Sequence, residues 1–403
     1  MNMLERINLT FSTVVFLLYS YQLLYLALPF LKKSHQAKKK SSKKHKYGIV
    51  IAARNEAAVI GQLIESVWAQ NYPKNLIEIF VVADNCTDDT AAIARNLGAH
   101  VWERHHKEQV GKGYALDFLF KRIQKGAVDA FIVFDADNLL SENYLLEMNE
   151  TFSEGHSVIT SYRNSKNYGS SWVSAGQSLW FLKESQYINR SRSLLNSGCA
   201  ISGTGFLVSA SLIEQIGGWP YHTLVEDIEF SVVQAIAGNK IAYCEKAIFF
   251  DEQPVAFSQS VVQRLRWSKG FYQVFFKYKK DLVAAVFAQN SFYAFDMLMK
   301  VLPIKFLAAT LMLLNLLAND YGLVLAGMAR LCAFFFLSGL LTLITEWRQI
   351  HAGAWQKISS LLTFPFFVFT FIPIAFIAAF AKIEWKPIVH QETDSLALIR
   401  KKV

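Results

Sequence analysis
The chain has 403 residues, of which 53% are hydrophobic and 18% charged, and its formal net charge is +9. The apolar excess lies at the two ends of the chain. That excludes an ordinary soluble enzyme and predicts one globular domain of roughly 240 residues between hydrophobic segments. Much of the positive charge lies in one lysine run beside a hydrophobic stretch, where a membrane surface would be, so nucleic acid is excluded as a partner and membrane lipid is expected instead.

Residues 7 to 31 carry no charged side chain, which is long enough to cross a bilayer. A cleavable signal peptide would have a shorter apolar core and a small-residue cleavage site. Here the apolar stretch runs instead into eight lysines from Lys32 to Lys46. Such a run stays in the cytoplasm, so the N-terminus is expected outside and the globular domain inside. Gly48–Ala53 reads as a buried strand, and the segment from Glu56 to Gln70 has helical apolar spacing. A second strand is expected over 78–84, a helix from Asp89 to Leu97, and a short strand over 99–103. The "GKGYALDFLFKRIQK" segment reads as a helix over 111–125 with two glycines at its start, and 130–138 as a fourth strand ending in acids. Strands alternating with helices of this length give a parallel, doubly wound sheet, an α/β fold. Ligands of such sheets bind beyond the carboxyl ends of the strands, where Arg54, Glu56, Asp84, Asp135 and Asp137 fall. The sequence then becomes less regular, with "SGTGFLVS", "VEDIEFSVVQA" and "QRLRW". Three hydrophobic stretches near 297–317, 321–345 and 358–381 close the pattern. Arg330 would sit in the middle of one of them, which is costly in lipid. Three spans would also carry the basic tail outside, so one segment is expected to lie in the interface or to re-enter. The four cysteines, Cys86, Cys199, Cys244 and Cys332, lack metal-type spacing and read as reduced structural thiols.

Several constellations could carry chemistry, each beside a plainer reading. Asp135 and Asp137 at a strand end suit Mg²⁺ or Mn²⁺ bridging to a diphosphate, or are solvated loop acids. Asp84 at the sheet's switch point can accept from a nucleoside; as a helix cap it is less apt than Asp88 or Asp89. Glu226 and Asp227 at a helix start could simply complement the dipole. Lys112 between two glycines looks like a phosphate cradle but lacks the full P-loop pattern. In "QRLRW", Trp267 can stack on a sugar and Arg266 can form a fork on a phosphate, although a basic stretch near a membrane is often an interfacial face.

Taken in order, Asp84, "GKGYALDF", "FDADN", "GTGF", "VEDIEF", "QRLRW" and the hydrophobic segments resemble family 2 glycosyltransferases. The match is to the membrane-embedded branch that includes cellulose, chitin, hyaluronan and poly-N-acetylglucosamine synthases, and it spans about residues 46 to 275. The resemblance implies a GT-A fold. It implies that Arg54, Glu56 and Asp84 hold the uridine of a UDP-sugar, with Lys112, Asp135 and Arg266 also on the donor. Asp137, beside Asp135, would hold the metal, and Asp227 would be the general base. Gly203, Thr204, Gly205, Gln263 and Trp267 would face the acceptor. The usual Thr before the Glu-Asp pair is Val225 here, and there are fewer spans than in the large cellulose-type synthases.

The expected division is a membrane helix and basic linker over 1–46 and a catalytic domain over 47–290. Beyond these come a membrane or interfacial region over 291–381 and a basic tail over 382–403. The expected activity is inverting, metal-dependent transfer from UDP-N-acetylglucosamine or UDP-glucose into β-linked cell-surface polysaccharide, at the cytoplasmic face of a bacterial membrane. Addition of one sugar to a lipid or lipid-linked acceptor is the alternative within the class. A catalytically silent scaffold would show loss of Asp227 or of Asp135 and Asp137, and none is lost.

Overall fold
The computed structural model describes residues 3–32 and 42–385. Most of the lysine run and the basic tail from Lys386 onward lie outside the described residues. The chain opens with α1 (Met3–Tyr19) and α2 (Tyr21–Leu31), then enters the globular part. There β1 (Tyr47–Ala53), β2 (Ile77–Asp84), β3 (His100–Arg104) and β4 (Ala130–Asp135) alternate with α3 (Ile60–Trp68), α4 (Thr90–Asn96) and α5 (Lys112–Phe120). Next come β5 (Leu139–Leu140), α6 (Tyr144–Phe152), β6 (Val158–Ser165), α7 (Trp172–Lys183), α8 (Arg190–Leu194), β7 (Phe206–Ser209), α9 (Ala210–Ile216), α10 (Glu226–Ile236) and β8 (Ala242–Asp251). All eight strands form one sheet in the order β3-β2-β1-β4-β7-β6-β8-β5.

The first half is the expected parallel array. β1 pairs in parallel with β2 and β4, and β2 with β3. Its strands are continuous apolar runs because both faces are covered. One face packs on Ile60, Leu63 and Ile64 of α3 and on Tyr144 and Met148 of α6. The other packs on Leu116 and Leu119 of α5 and, across the sheet, on Leu343, Phe364 and Phe367 from the C-terminal helices. That second core therefore joins the sheet-containing part of the chain to the C-terminal helices. The second half of the sheet is mixed: β7 runs antiparallel to β4 and β6, and β5 antiparallel to β8.

Two expected elements end early. The fourth strand stops at Asp135, because Asn138 donates its backbone N–H to the Asp135 carbonyl at 3.1 Å and turns the chain. Asp135 and Asp137 therefore occupy a turn and not one side of an extended strand. The helix expected over 111–125 stops at Phe120, where Arg122 bonds back to Leu119 in a tighter turn.

After β8 come α11 (Phe257–Ala288), α12 (Phe292–Val301), α13 (Ile304–Leu317), α14 (Tyr321–Glu346), α15 (Ala354–Phe369) and α16 (Phe371–Phe380). Among the described residues, three helical stretches are long and apolar enough to cross a membrane: Met3–Leu31, Tyr321–Glu346 and Ala354–Phe380. The segment expected near 297–317 is instead a pair, α12 and α13, bent by 44°. Pro303 disfavours helix at Leu302 and accounts for the break. Arg330 is on the exposed side of α14, where its Nε donates to the Ala326 carbonyl at 3.1 Å. The N-terminal helices are tied in by polar contacts. Tyr21 and Tyr25 each donate to Asp296 at 2.8 Å, and Arg192 Nε meets the same carboxylate at 2.7 Å.

Candidate functional site
The register of the parallel strands sets the site's floor. Ala53 lies opposite Ala83, and Ala52 opposite Asp135, so Arg54, Asp84 and Asp135 emerge along one edge. Asn55, two residues past β1, and Asn85, directly after β2, have φ of 56° and 54°. Asn tolerates this left-handed conformation better than most residues. The Asn55 side chain accepts from Thr87 N–H at 2.8 Å, which locks the two loops together. Glu56 donates its backbone N–H to Thr90 Oγ1 at 2.8 Å.

Asp84 is buried and bonded to Arg104 Nη1 at 2.5 Å. Burial pushes its carboxyl up, against the opposing pull of Arg104 and Arg54. Lys112 bridges the Asp135 carboxylate and the Gly203 carbonyl, the latter at 2.7 Å. A Cβ on Gly113 would lie 2.0 Å from the Tyr221 carbonyl oxygen, so the second glycine of "GKG" is required for backbone approach. Thr204 Oγ1 accepts from Asp135 N–H at 2.9 Å and donates to Asn138 Oδ1. Asp137 Oδ2 accepts from Glu252 N–H at 2.8 Å. Gly205 has φ 65°, and a Cβ there would meet Phe249 at 2.2 Å.

The helix-start acids complete the opposite wall. A Cβ on Gly203 would lie 3.8 Å from Asp227 Oδ2, so the 203–205 loop runs beside that carboxylate. Burial and the Asp227 charge raise Glu226 to about 8. Burial also raises Asp227, opposed by the backbone N–H of Ile228 and by Lys112. Both acids are therefore pushed toward the protonated form. Burial lowers Arg266, while the charges of Glu226, Asp135 and Asp227 act the other way, so the three acids lie within electrostatic reach of its guanidinium.

The "QRLRW" turn divides its work. Arg264 is fully buried and turns away from the site: Nη1 donates to Thr370 Oγ1 at 2.6 Å, and its guanidinium stacks on Phe367 and Phe371. Gln263 accepts from Gln177 Nε2 at 2.8 Å. Trp267 packs edge-on against Phe181 at 6.1 Å. Gly270 lets α11 approach α10, since a Cβ there would lie 2.7 Å from Val225.

Four neighbours, Arg104, Arg163, Asp251 and Trp385, escape sequence reasoning. Arg104 pairs with Asp84 from the adjacent strand. Arg163 binds Asp251 through Nε at 2.7 Å and stacks on Phe181 at 3.6 Å, behind the 203–205 loop. Trp385, just past α16, lies over Arg54 at 5.2 Å and Arg266 at 5.8 Å. A tryptophan next to a hydrophobic segment reads as a membrane-interface residue, and no local signal assigns Trp385 to this site.

Two groups in the cleft are conspicuous. Arg54 Nη1 and Arg266 Nε are buried with no hydrogen-bond partner among the described residues. Buried donors are normally satisfied, and two guanidinium groups beside one ring, that of Trp385, suit an anion. No three His, Cys, Asp or Glu side chains form a metal cage among the described residues. The turn still fits Mg²⁺ or Mn²⁺ of the kind held by one or two carboxylates plus substrate phosphates.

Residues 45–270 match the family model described as glycosyltransferase like family 2. A probable glycosyltransferase of Bacillus subtilis is 26% identical over 59% of this chain and 60% of its own length. A beta-monoglucosyldiacylglycerol synthase of Synechocystis is 25% identical over 57% of this chain and 48% of its own. A poly-beta-1,6-N-acetyl-D-glucosamine synthase of Staphylococcus aureus is 25% identical over 56% and 54%. The chain thus spans about half to three fifths of these relatives. A solved mannosyltransferase from Pyrobaculum calidifontis, in complex with GDP-Man and Mn²⁺, superimposes with a TM-score of 0.57 at 17% identity, covering 94% of this chain and 99% of that one. The fold is the GT-A one that the resemblance implied.

Proposed function
This chain belongs to glycosyltransferase-like family 2, and from that premise we propose that it transfers a sugar from a UDP-sugar, with inversion, to form a β-glycosidic bond. UDP-N-acetylglucosamine and UDP-glucose are the donors to test first. The observation that supports the reading is the convergence of Asp135, Glu226, Asp227 and Arg266 at the strand edge, with donors of Arg54 and Arg266 left for an anion.

Asp227 takes the proton of the acceptor hydroxyl as its oxygen attacks the anomeric carbon, displacing UDP. Arg266 faces the charge that develops on the leaving diphosphate. Lys112 holds Asp135 against the 203–205 loop and so joins the donor and acceptor sides. Asp84, with Arg54 and Glu56, holds the uridine, and Trp385 covers Arg54. Asp137, beside Asp135, would hold Mg²⁺ or Mn²⁺ together with the donor phosphates, and the ion would offset leaving-group charge. Trp267 presents its indole to the acceptor sugar. The catalytic domain faces the cytoplasm.

The acceptor reading divides between a growing polysaccharide and a lipid, and the curated relatives include one synthase of each kind. The experiment is incubation of purified protein in detergent with UDP-sugars, GDP-mannose and divalent metals, measuring released nucleotide and product size. Release from no UDP-sugar would overturn the proposal.

A further inference from the structure
A second group of cations lies on the membrane side of the catalytic domain. Lys183 ends α7, and its ammonium lies 4.7 Å from the Trp180 ring centroid and 5.5 Å from that of Phe335 on α14. Lys305, at the start of α13, lies 6.0 Å from Trp180 and 4.8 Å from Phe371 on α16. Trp180 and Phe371 are themselves stacked at 5.6 Å. Two ammonium groups thus share one aromatic wall, and neither has a hydrogen bond or ion pair to another described residue. Burial and the charge of Lys305 bring Lys183 down to about 8, with Glu184 opposing. Lys300 and Arg264 are within electrostatic reach of Lys305. The carboxylate among them is Glu184, which Lys300 engages at 2.8 Å. Lys183 and Lys305 thus have one acid within reach, Glu184, and Lys300 already engages it, beside helices apolar enough to cross a membrane. Lys183 is half-buried and Lys305 is exposed beside those helices, a placement open to an anion at a membrane surface. Lys300 also acts electrostatically on Asp227, so the cluster extends toward the proposed base.

We propose that Lys183 and Lys305 bind the phosphate of a membrane lipid, and that this phospholipid is the acceptor. The inference rests on the transferase reading for its second half only. The headgroup hydroxyl oxygen forms the bond to the anomeric carbon, the carbon–oxygen bond to UDP breaks with its electron pair leaving on UDP, and the hydroxyl proton passes to Asp227. Exposed apolar side chains on the same helices, Phe334 and Leu337 of α14 and Ile377 and Phe380 of α16, select a lipid over free phosphate.

The test is native mass spectrometry of the full chain in detergent with phosphatidylglycerol, diacylglycerol or inorganic phosphate, and UDP-sugar binding measured on the same samples. Phosphatidylglycerol should bind and diacylglycerol should not. K183A/K305A should weaken phosphatidylglycerol by about tenfold or more, as expected for lost charge-assisted hydrogen bonds. K183R/K305R should retain binding, and UDP-sugar binding should be equal in all three proteins. Equal binding of both lipids, wild-type lipid binding by the alanine variant, or displacement of lipid by millimolar phosphate would each overturn the lipid site. If the lipid binds as expected and no UDP-sugar does, the transferase reading fails and the site stands. Bound lipid that never receives sugar from a bound donor would overturn its role as acceptor.

Discussion
Two pairs of acids, at the end of β4 and at the start of α10, are built differently. Asp135 and Asp137 are tied down: Lys112, the Asn138 side chain and Glu252 N–H engage their carboxylates, and Thr204 fixes the Asp135 backbone. Glu226 and Asp227 have no side chain bonded to their carboxylates among the described residues, and both are pushed toward the protonated form. Acids held by several hydrogen bonds keep one position, which suits holding a ligand. Acids that are buried and sparsely bonded can gain and lose a proton near neutrality, which suits proton transfer. Separate removal of each pair tests that division.

The largest effect is expected for Asp227→Asn. Transfer should fall by about 10²- to 10⁴-fold, while calorimetry in the same detergent finds UDP-sugar binding nearly unchanged. Near wild-type transfer would leave Glu226 as the base, and lost binding would move Asp227 to the holding pair. Next is the metal: excess EDTA, or Asp137→Asn, should lower transfer by about 10²-fold, with Mn²⁺ or Mg²⁺ restoring only the EDTA-treated wild type. Full activity in EDTA would sink the assignment. Smaller and opposite effects are expected for two tryptophans. Trp267→Ala should raise the acceptor KM by about tenfold with little change for the donor. Trp385→Ala should weaken the donor by about threefold and leave the acceptor KM alone. The reverse pattern would exchange the two walls.

Glu226→Gln should affect transfer at pH 7 least and should alter the pH dependence. Glu226 ionises near 8 in the folded chain, so a second negative charge should appear beside Asp227 above that pH. Any inflection of the wild-type rate near pH 8 should vanish in the variant. Stability tracks the same proton. From about 4.5 to about 8 the unfolded chain releases it and the folded chain keeps it, so the wild type loses stability as pH rises through this window. The variant should melt higher than wild type at pH 8 and alike at pH 4.5, and identical melting at both would remove the burial argument.

The parallel half of the fold was legible because each strand and crossover helix carries its own period. The mixed half was not, since β6, β7 and β8 pair across insertions with no local signature. In the site, Asp135, Asp227 and Arg266 were legible as members of short motifs, and their convergence is a fact of three dimensions. The Asp84–Arg104 and Arg163–Asp251 pairs join residues 20 and 88 positions apart. Arg264 and Arg266 are two positions apart and face different surroundings, because successive residues on a helix point in different directions. One binds the α15–α16 junction and the other faces Glu226, Asp135 and Asp227.

The Asp296 carboxylate that receives Tyr21, Tyr25 and Arg192 has a consequence for how the chain is made. Tyr25 and Asp296 are 271 residues apart. At a synthesis rate of about 5–20 residues per second, the N-terminal helix waits roughly 14 to 54 seconds for its acceptor. During that interval its tyrosine hydroxyls must be satisfied by water or headgroups at the bilayer surface. A helix made early is therefore among the later ones to reach its final place, and its docking marks the arrival of α12.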